Sequence, residues 1–234
     1  MPEAVRGAII AAGEGSRLRA DGYRVPKPMV EVAGLPLIGA VLRNFTTAGI
    51  TAITVILNEQ DRECVEWVRS RFPALAIDFI VKTTASSLES FRAVTGRGPA
   101  GPMLVSTVDA WCAAEDFARF AAAAAGRPAD ATVLAVTPFV SDEKPLWVTL
   151  GAGGRVEGLG TADSGLVTAG VYRVSDRARR LAPARELGRL REYLGWLHES
   201  GEPLYGEIIE TVVDVDRALD VASAEALARG ARRT

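Results

Sequence analysis

Histidine is nearly absent from this 234-residue chain, with His198 the single example. It stands beside Trp196 and Leu197 in a stretch of helical character, where packing or a surface place explains it better than catalysis. Ser/His/Asp chemistry and histidine-rich metal sites are therefore set aside. Cysteine is almost as scarce. Cys64 and Cys112 have neither metal-ligand spacing nor a disulfide framework, so reduced thiols in a cytoplasmic protein are expected. Charge of one sign is also lacking. A formal net charge of −2 gives no electrostatic footprint for nucleic acid, and Arg232-Arg233 reads as a solvated tail. No apolar run approaches the ~20 residues of a membrane span, and the first residues lack a signal-peptide pattern, so no membrane partner is expected.

What is present is enough apolar material for one substantial core, at 48% hydrophobic residues, and a single domain over 1–234 is the expectation. Apolar spacing predicts helices over Leu37 to Ala48, Asp61 to Arg71 and Ser87 to Val94. These alternate with strands over Ala52 to Leu57, Leu75 to Val81 and Met103 to Thr107. Ala113 to Phe120 looks helical, and Ala121 to Ala125 reads as the end of that helix. Strands follow at Thr132 to Thr137, Trp147 to Leu150, Arg155 to Leu159 and Val167 to Val174, with Gly151 to Gly154 as a hairpin turn. The pattern predicts an α/β fold of three αβα layers, Rossmann-like, whose mostly parallel sheet carries antiparallel additions that wall a pocket.

The richest stretch runs from Arg6 to Val32. Ala8-Ile9-Ile10-Ala11-Ala12 is apolar on both faces and ends at Gly13, as a buried parallel strand does. The turn after it then lies at the carboxyl edge of the sheet, where open α/β folds bind ligands. Gly13 and Gly15 can take positive φ and bring backbone N–H groups to a polyphosphate without a Cβ in the way. Arg17 supplies a planar fork of donors and Lys27 a compact charge. Pro26 and Pro28 are expected to hold the residues before them extended, presenting the lysine on a stiff segment. A Walker A loop would need Gly-Lys-Ser/Thr directly after the turn, and a dinucleotide fingerprint a third small residue where Arg17 and Leu18 stand. Neither is present.

The segment resembles the signature of the sugar-1-phosphate nucleotidylyltransferase superfamily: a strand, Gly-x-Gly-Ser/Thr-Arg-Leu/Met, then Lys-Pro. Gly13, Gly15, Ser16, Arg17, Leu18, Lys27 and Pro28 match, while Ala20, Asp21 and Gly22 stand where sugar-specific members often carry Pro-Leu-Thr. The resemblance implies a nucleotide-diphospho-sugar transferase type of fold. It also implies an NTP bound by Ala11, Ala12, Gly13, Gly15 and Ser16, with Arg17 and Lys27 as the catalytic cations.

Asp109 follows the strand Met103 to Val108, so its carboxylate should project at the same sheet edge as the glycine loop. An aspartate there suits Mg²⁺, which prefers oxygen ligands; helix capping is the competing role. Family members commonly have Gly before this Asp, and here it is Val108. Val212-Val-Asp-Val-Asp-Arg-Ala-Leu-Asp220 resembles the Asp-x-Asp-Thr-Pro-Glu-Asp-Leu element that closes many nucleotidyltransferase domains, with Arg217, Ala218 and Leu219 departing. The resemblance implies that Asp214, Asp216 or both complete an Mg²⁺ site with Asp109. Strand alternation lets Asp214 and Asp216 share a face with Val215 turned inward, and Asp220 belongs to a helix start.

Lys82 to Leu88 leaves a strand and enters a helix, where hydroxyls and free amides can hold a base, ribose or phosphate. It resembles the family's base-recognition segment, which implies nucleotide contacts from Thr84, Ser86 and Ser87, with simple capping as the competing role for one serine. Thr168-Ala-Gly-Val-Tyr172 resembles the family's Ala-Gly-Ile-Tyr strand, in which the glycine, here Gly170, lets substrate approach the backbone. Asp142-Glu-Lys-Pro145 resembles a Glu-Lys-Pro element but precedes the hairpin, so Glu143 receives no sugar-binding role; Lys144 is a candidate for the acceptor phosphate, with a plain surface lysine as the favoured competing role.

The implied activity is Mg²⁺-dependent transfer of NMP from an NTP to a phosphorylated small molecule, a sugar 1-phosphate first, with pyrophosphate leaving. The alternatives are a CTP-dependent enzyme for phosphocholine or another phospho-alcohol, the molybdopterin branch, and a non-catalytic nucleotide-binding module. An oligomer is compatible with all of them.

Overall fold

The structure, a computed structural model, describes residues 5–140, 144–160, 162 and 164–231; Asp142, Glu143, Arg232 and Arg233 lie outside the described residues. From the N-terminal side, β1 (Arg6–Ala11) leads through the short helix α1 (Ser16–Ala20) and a single 3-10 turn (Lys27–Met29) into the hairpin β2 (Glu31–Val32) and β3 (Leu35–Pro36). Then α2 (Leu37–Thr47), β4 (Ala52–Leu57), α3 (Arg62–Arg71), β5 (Ala76–Val81), α4 (Ser87–Thr95) and β6 (Met103–Thr107) alternate. β1 lies between β4 and β6, and β5 lies outside β4, all parallel.

The second half adds β7 (Ala110–Trp111), α5 (Ala114–Ala125), β8 (Thr132–Thr137), β9 (Trp147–Leu150), β10 (Val156–Gly160) and β11 (Val167–Val174). Here the direction changes: β11 runs antiparallel to β6, β8 and β9, and β10 antiparallel to β9. After α6 (Asp176–Arg180) and α7 (Leu190–Glu199), β12 (Leu204–Ile208) pairs parallel with β8, β13 (Val213–Asp214) pairs antiparallel with β7, and α8 (Ala218–Ala231) follows. The large sheet has the order β10-β9-β11-β6-β1-β4-β5, with β8 also on β11 and β12 on β8.

The apolar run of β1 is explained by two cores. Successive strand residues face opposite sides: Ile9 packs in the layer of Phe45, Val68, Phe117 and Val221 from α2, α3, α5 and α8, and Ile10 in the layer of Phe91 and Tyr193 from α4 and α7. The Phe45 and Phe117 rings meet edge to face at 5.1 Å. Three layers with a mainly parallel centre and an antiparallel wing are thus observed. No helix among the described residues is long and apolar enough to cross a membrane.

One expectation needs correction here. Lys27 does not sit in an extended segment; Pro26 before it is at ψ 148°, and the lysine opens the 3-10 turn. The β12 strand was not foreseen from its short Leu-Tyr-Gly-Glu-Ile pattern, because its place is set by distant partners. A Cβ on Gly206 would stand 2.6 Å from Leu150 Cδ2, so a side chain there would have to displace the end of the Leu150 side chain.

Candidate active site at the carboxyl edge of the sheet

The two glycines of the opening loop are not equivalent. Gly15 adopts the left-handed region at φ 62°, and a Cβ there would lie 2.7 Å from Lys27 Cβ. Gly13 is not among the positive-φ residues and a Cβ on it would meet nothing within 4 Å, which corrects the expectation that both use that freedom. The bare backbone at Gly15 is what lets the lysine segment fold down onto the loop. Ala11 and Ala12 are buried at the strand end, with the Ala12 carbonyl accepting from Asn58 Nδ2 at 3.3 Å, and Ser16 is the first residue of α1.

Lys27 crosses to the acidic residues. Its ammonium is almost wholly buried and donates to Asp109 Oδ2 at 2.6 Å and to Asp216 Oδ1. Arg17 donates to the other Asp216 oxygen at 2.5 Å. Burial alone would lower the lysine's pKa, but the charges of Asp109, Asp216 and Asp214 outweigh it and hold the ammonium well above its ordinary value. Burial raises the Asp109 carboxyl, but the Lys27 charge and hydrogen bond, with help from Thr107, bring it below the usual carboxylate value.

Short ladders assemble the acidic side. The Val108 amide donates to the Ile10 carbonyl at 3.0 Å, so this residue prolongs the β6–β1 ladder before the chain turns at Asp109. The Asp109 carbonyl in turn accepts from the Val215 amide at 3.0 Å, and β13 pairs with β7 through Val213–Trp111 and Asp214–Ala110. Val215 is fully buried, as alternation requires, while ligand oxygens of Asp109, Asp214 and Asp216 lie within 4.8 Å of one another. Three hard oxygen donors around two cations, Lys27 and Arg17, leave a net negative cluster, so the donor set fits a divalent ion such as Mg²⁺. Asp220 serves the start of α8, accepting from the Asp216 and Arg217 amides.

Beside the cluster lies a cavity of about 190 Å³ whose lining includes Asp109, Asp214, Gly170, Tyr172, Ser87 and Arg191. Gly170 is at φ 70°, and a Cβ on it would stand 2.6 Å from Thr107 Oγ1. The β11–β8 register shifts between Thr168 and Tyr172, so the strand bulges where it faces the cavity. The Tyr172 phenol is pushed up by burial and lies close enough to Asp109, Asp214 and Arg191 to feel their charges.

The sequence-predicted residues divide between two places. Gly13, Gly15, Ser16, Arg17 and Lys27 share the loop, and Asp109, Asp214 and Asp216 meet it. Ser86 caps α4 by accepting from the Glu89 amide at 3.1 Å, and Thr84 Oγ1 pairs with Ser90 Oγ at 2.6 Å, so both hydroxyls are engaged at that helix start. Ser87 is carried to the cavity, where its Oγ accepts from the Leu190 amide at 3.0 Å. Lys144 is exposed beside the lining residues Pro145 and Leu146, and its carbonyl accepts from Arg191. Arg191 was not foreseen: no motif marks it, and it reaches the cavity from α7, which packs against β10 and α4. The thiols of Cys64 and Cys112 are pushed up to about 12, mainly by burial, which leaves both inert as nucleophiles.

The model for the MobA-like NTP transferase domain matches residues 7–194. Among curated relatives, the CMP-5'-(3-aminopropyl)phosphonate synthase of Streptomyces rubellomurinus is 28% identical over 90 residues, 38% of this chain and 14% of that protein. The 2-aminoethylphosphonate cytidylyltransferase of Lancefieldella rimae is 30% identical over 91 residues, 37% of this chain and 36% of that protein. The matched stretches thus span well under half of either relative. The inositol-1-phosphate CTP transferase of T. maritima superposes with a TM-score of 0.78 at 17% identity, over 97% of both chains. HddC of Yersinia pseudotuberculosis, solved with GMP-PN, gives 0.75 at 18% identity over 95% of this chain and 99% of that one. At such identities the superpositions establish the fold, which agrees with the three-layer architecture described above. With the family model covering most of its length, the chain belongs to the MobA-like NTP transferase domain family.

Proposed function

We propose that this protein transfers an NMP unit from an NTP to a phosphorylated small-molecule acceptor, releasing pyrophosphate. The observation that carries this reading is the meeting of Lys27 and Arg17 with Asp109, Asp214 and Asp216 at one sheet edge, beside a cavity of about 190 Å³. Nucleotidyl transfer asks for placement and charge neutralisation more than covalent chemistry. The loop amides and Arg17 hold the triphosphate, and Lys27 faces the α-phosphoryl group as its charge develops. Asp109, Asp214 and Asp216 would hold Mg²⁺, whose chemistry there is to neutralise phosphate charge. The cavity receives the acceptor, with Arg191 as a charged contact for its phosphoryl group and Lys144 near its edge.

A sugar 1-phosphate is the first acceptor class proposed. A second reading, CTP with a small phosphonate or phospho-alcohol, is favoured by the CMP-5'-(3-aminopropyl)phosphonate synthase and the 2-aminoethylphosphonate cytidylyltransferase among the relatives. A matrix of the four NTPs against sugar 1-phosphates, phosphocholine and 2-aminoethylphosphonate, read by pyrophosphate release with Mg²⁺, tests both. Release with one acceptor class assigns it. Tight NTP binding without release from any pair contradicts the enzymatic reading and supports a binding module.

A further inference from the structure

Two of the places where the chain departs from the nucleotidyltransferase pattern, Ala20-Asp21-Gly22 and Arg217-Ala218-Leu219, meet in space. Asp21 Oδ2 accepts from the Ala218 amide at 2.9 Å, across 197 residues of sequence. Ala218 is the first residue of α8, and the two amides before it donate to Asp220 Oδ2, from Asp216 at 3.0 Å and from Arg217 at 2.7 Å. Arg217 precedes the helix at the position where Ser, Thr, Asp or Asn usually caps, and its side chain carries no acceptor atom. The first helical amide, that of Ala218, finds its acceptor in Asp21 at the end of α1.

We propose that Asp21 is a positioning residue, which caps α8 from across the site and thereby fixes Asp216 against the phosphate loop. The bonds close a ring. Asp21 donates its own amide to the Arg17 carbonyl at 3.0 Å, and Arg17 donates its guanidinium to Asp216. Asp216 lies two residues before the amide that Asp21 holds. Movement of α8 relative to α1 therefore breaks this cap and loosens the same carboxylate that pairs with Arg17 and Lys27. The negative charges of Asp21 and Asp220 also suit the positive end of the helix. This role rests on the proposed nucleotidyl transfer only for its purpose; the cap itself stands on the hydrogen bonds.

The test compares Asp21→Ala, Asp21→Asn and the double variant Asp21→Ala/Arg217→Thr with the parent. Asparagine keeps an acceptor oxygen, and the threonine hydroxyl of the double variant supplies a local cap. Mn²⁺ alone is the probe, titrated by electron paramagnetic resonance at 25 °C, alongside hydrogen exchange of the amides of 216–221 and melting temperature. Asp21→Ala is expected to weaken Mn²⁺ binding and speed exchange by about fivefold each, the size of one helix cap. Asp21→Asn is expected to return both to within about twofold of the parent, and the double variant to return exchange alone, because a local cap does not tie α8 to α1. Parent-like Mn²⁺ affinity in Asp21→Ala with a lower melting temperature overturns the positioning role and leaves a plain structural contact. Unchanged exchange, or no recovery of exchange in the double variant, overturns the cap, and recovery of Mn²⁺ affinity in the double variant overturns the tie between α8 and α1. Absence of Mn²⁺ binding by the parent contradicts the metal assignment of the proposed function, and the exchange comparison then decides the cap by itself.

Discussion

Replacing Gly15 by alanine strikes the point where the phosphate loop and the lysine segment touch. The residue sits at φ 62°, ψ 32°, where a side chain raises the energy by about 1–2 kcal/mol. The new Cβ would also lie 2.7 Å from Lys27 Cβ, well inside the ~3.5–4.0 Å optimum for two carbons. Lys27 Cβ is fixed by the backbone of a 3-10 turn between Pro26 and Pro28, so relief requires moving that turn, at about 1–3 kcal/mol. Together these destabilise the fold by about 2–5 kcal/mol, or roughly 5–15 °C in melting temperature for a chain of this size. Gly13→Ala is the control: it has open space and no left-handed backbone, and should stay within about 0.5 kcal/mol of the parent. Urea unfolding of both variants gives the comparison. Equal stability of Gly15→Ala and Gly13→Ala would refute the reasoning.

Removing the ammonium with Lys27→Ala should raise the barrier of pyrophosphate release by about 3–4 kcal/mol in kcat, by analogy with deletion of one oxyanion donor; steady-state kinetics near the parent rate would remove Lys27 from the mechanism. Burial pushes the Asp61 carboxyl from 3.8 up to about 6, with Arg19 pulling it down and Glu63 pushing it up. Because the folded value lies above the unfolded one, ionisation opposes folding: the penalty is absent below about pH 4 and complete above about pH 6. Asp61→Asn should therefore match the parent in urea unfolding at about pH 4 and exceed it by about 1–2 kcal/mol at about pH 7.5. The same difference at both values would contradict this account.

The loop was legible because its determinants are local. A run apolar on both faces announces a buried parallel strand, and the glycine turn that follows it lies at the strand's carboxyl end whatever its distant partners are. Asp109 was legible for the same reason, as the residue at which a buried strand ends. The inequivalence of Gly13 and Gly15 was not, since it depends on where Lys27 Cβ comes to rest. The Asp21–Ala218 contact and the arrival of Arg191 at the cavity likewise join elements far apart in the chain, so no window of sequence contains them. The extended geometry expected at Lys27 gave way to a 3-10 turn, in which the Met29 amide donates to the Pro26 carbonyl at 2.8 Å and the Val30 amide to the Lys27 carbonyl at 3.1 Å. β12 escaped notice because a five-residue strand interrupted by Gly206 has little pattern of its own, and its place is set by β8.

The central claim is attack at the α-phosphorus of an NTP, and isotope placement tests it most directly. With Mg²⁺ and the NTP and acceptor selected by the matrix, label at the α-phosphorus should appear in the acceptor product, and label at the γ-phosphorus should leave as pyrophosphate. Lys27→Ala should slow both together. Release of the α-label as free NMP, or of the γ-label as orthophosphate, would contradict the account.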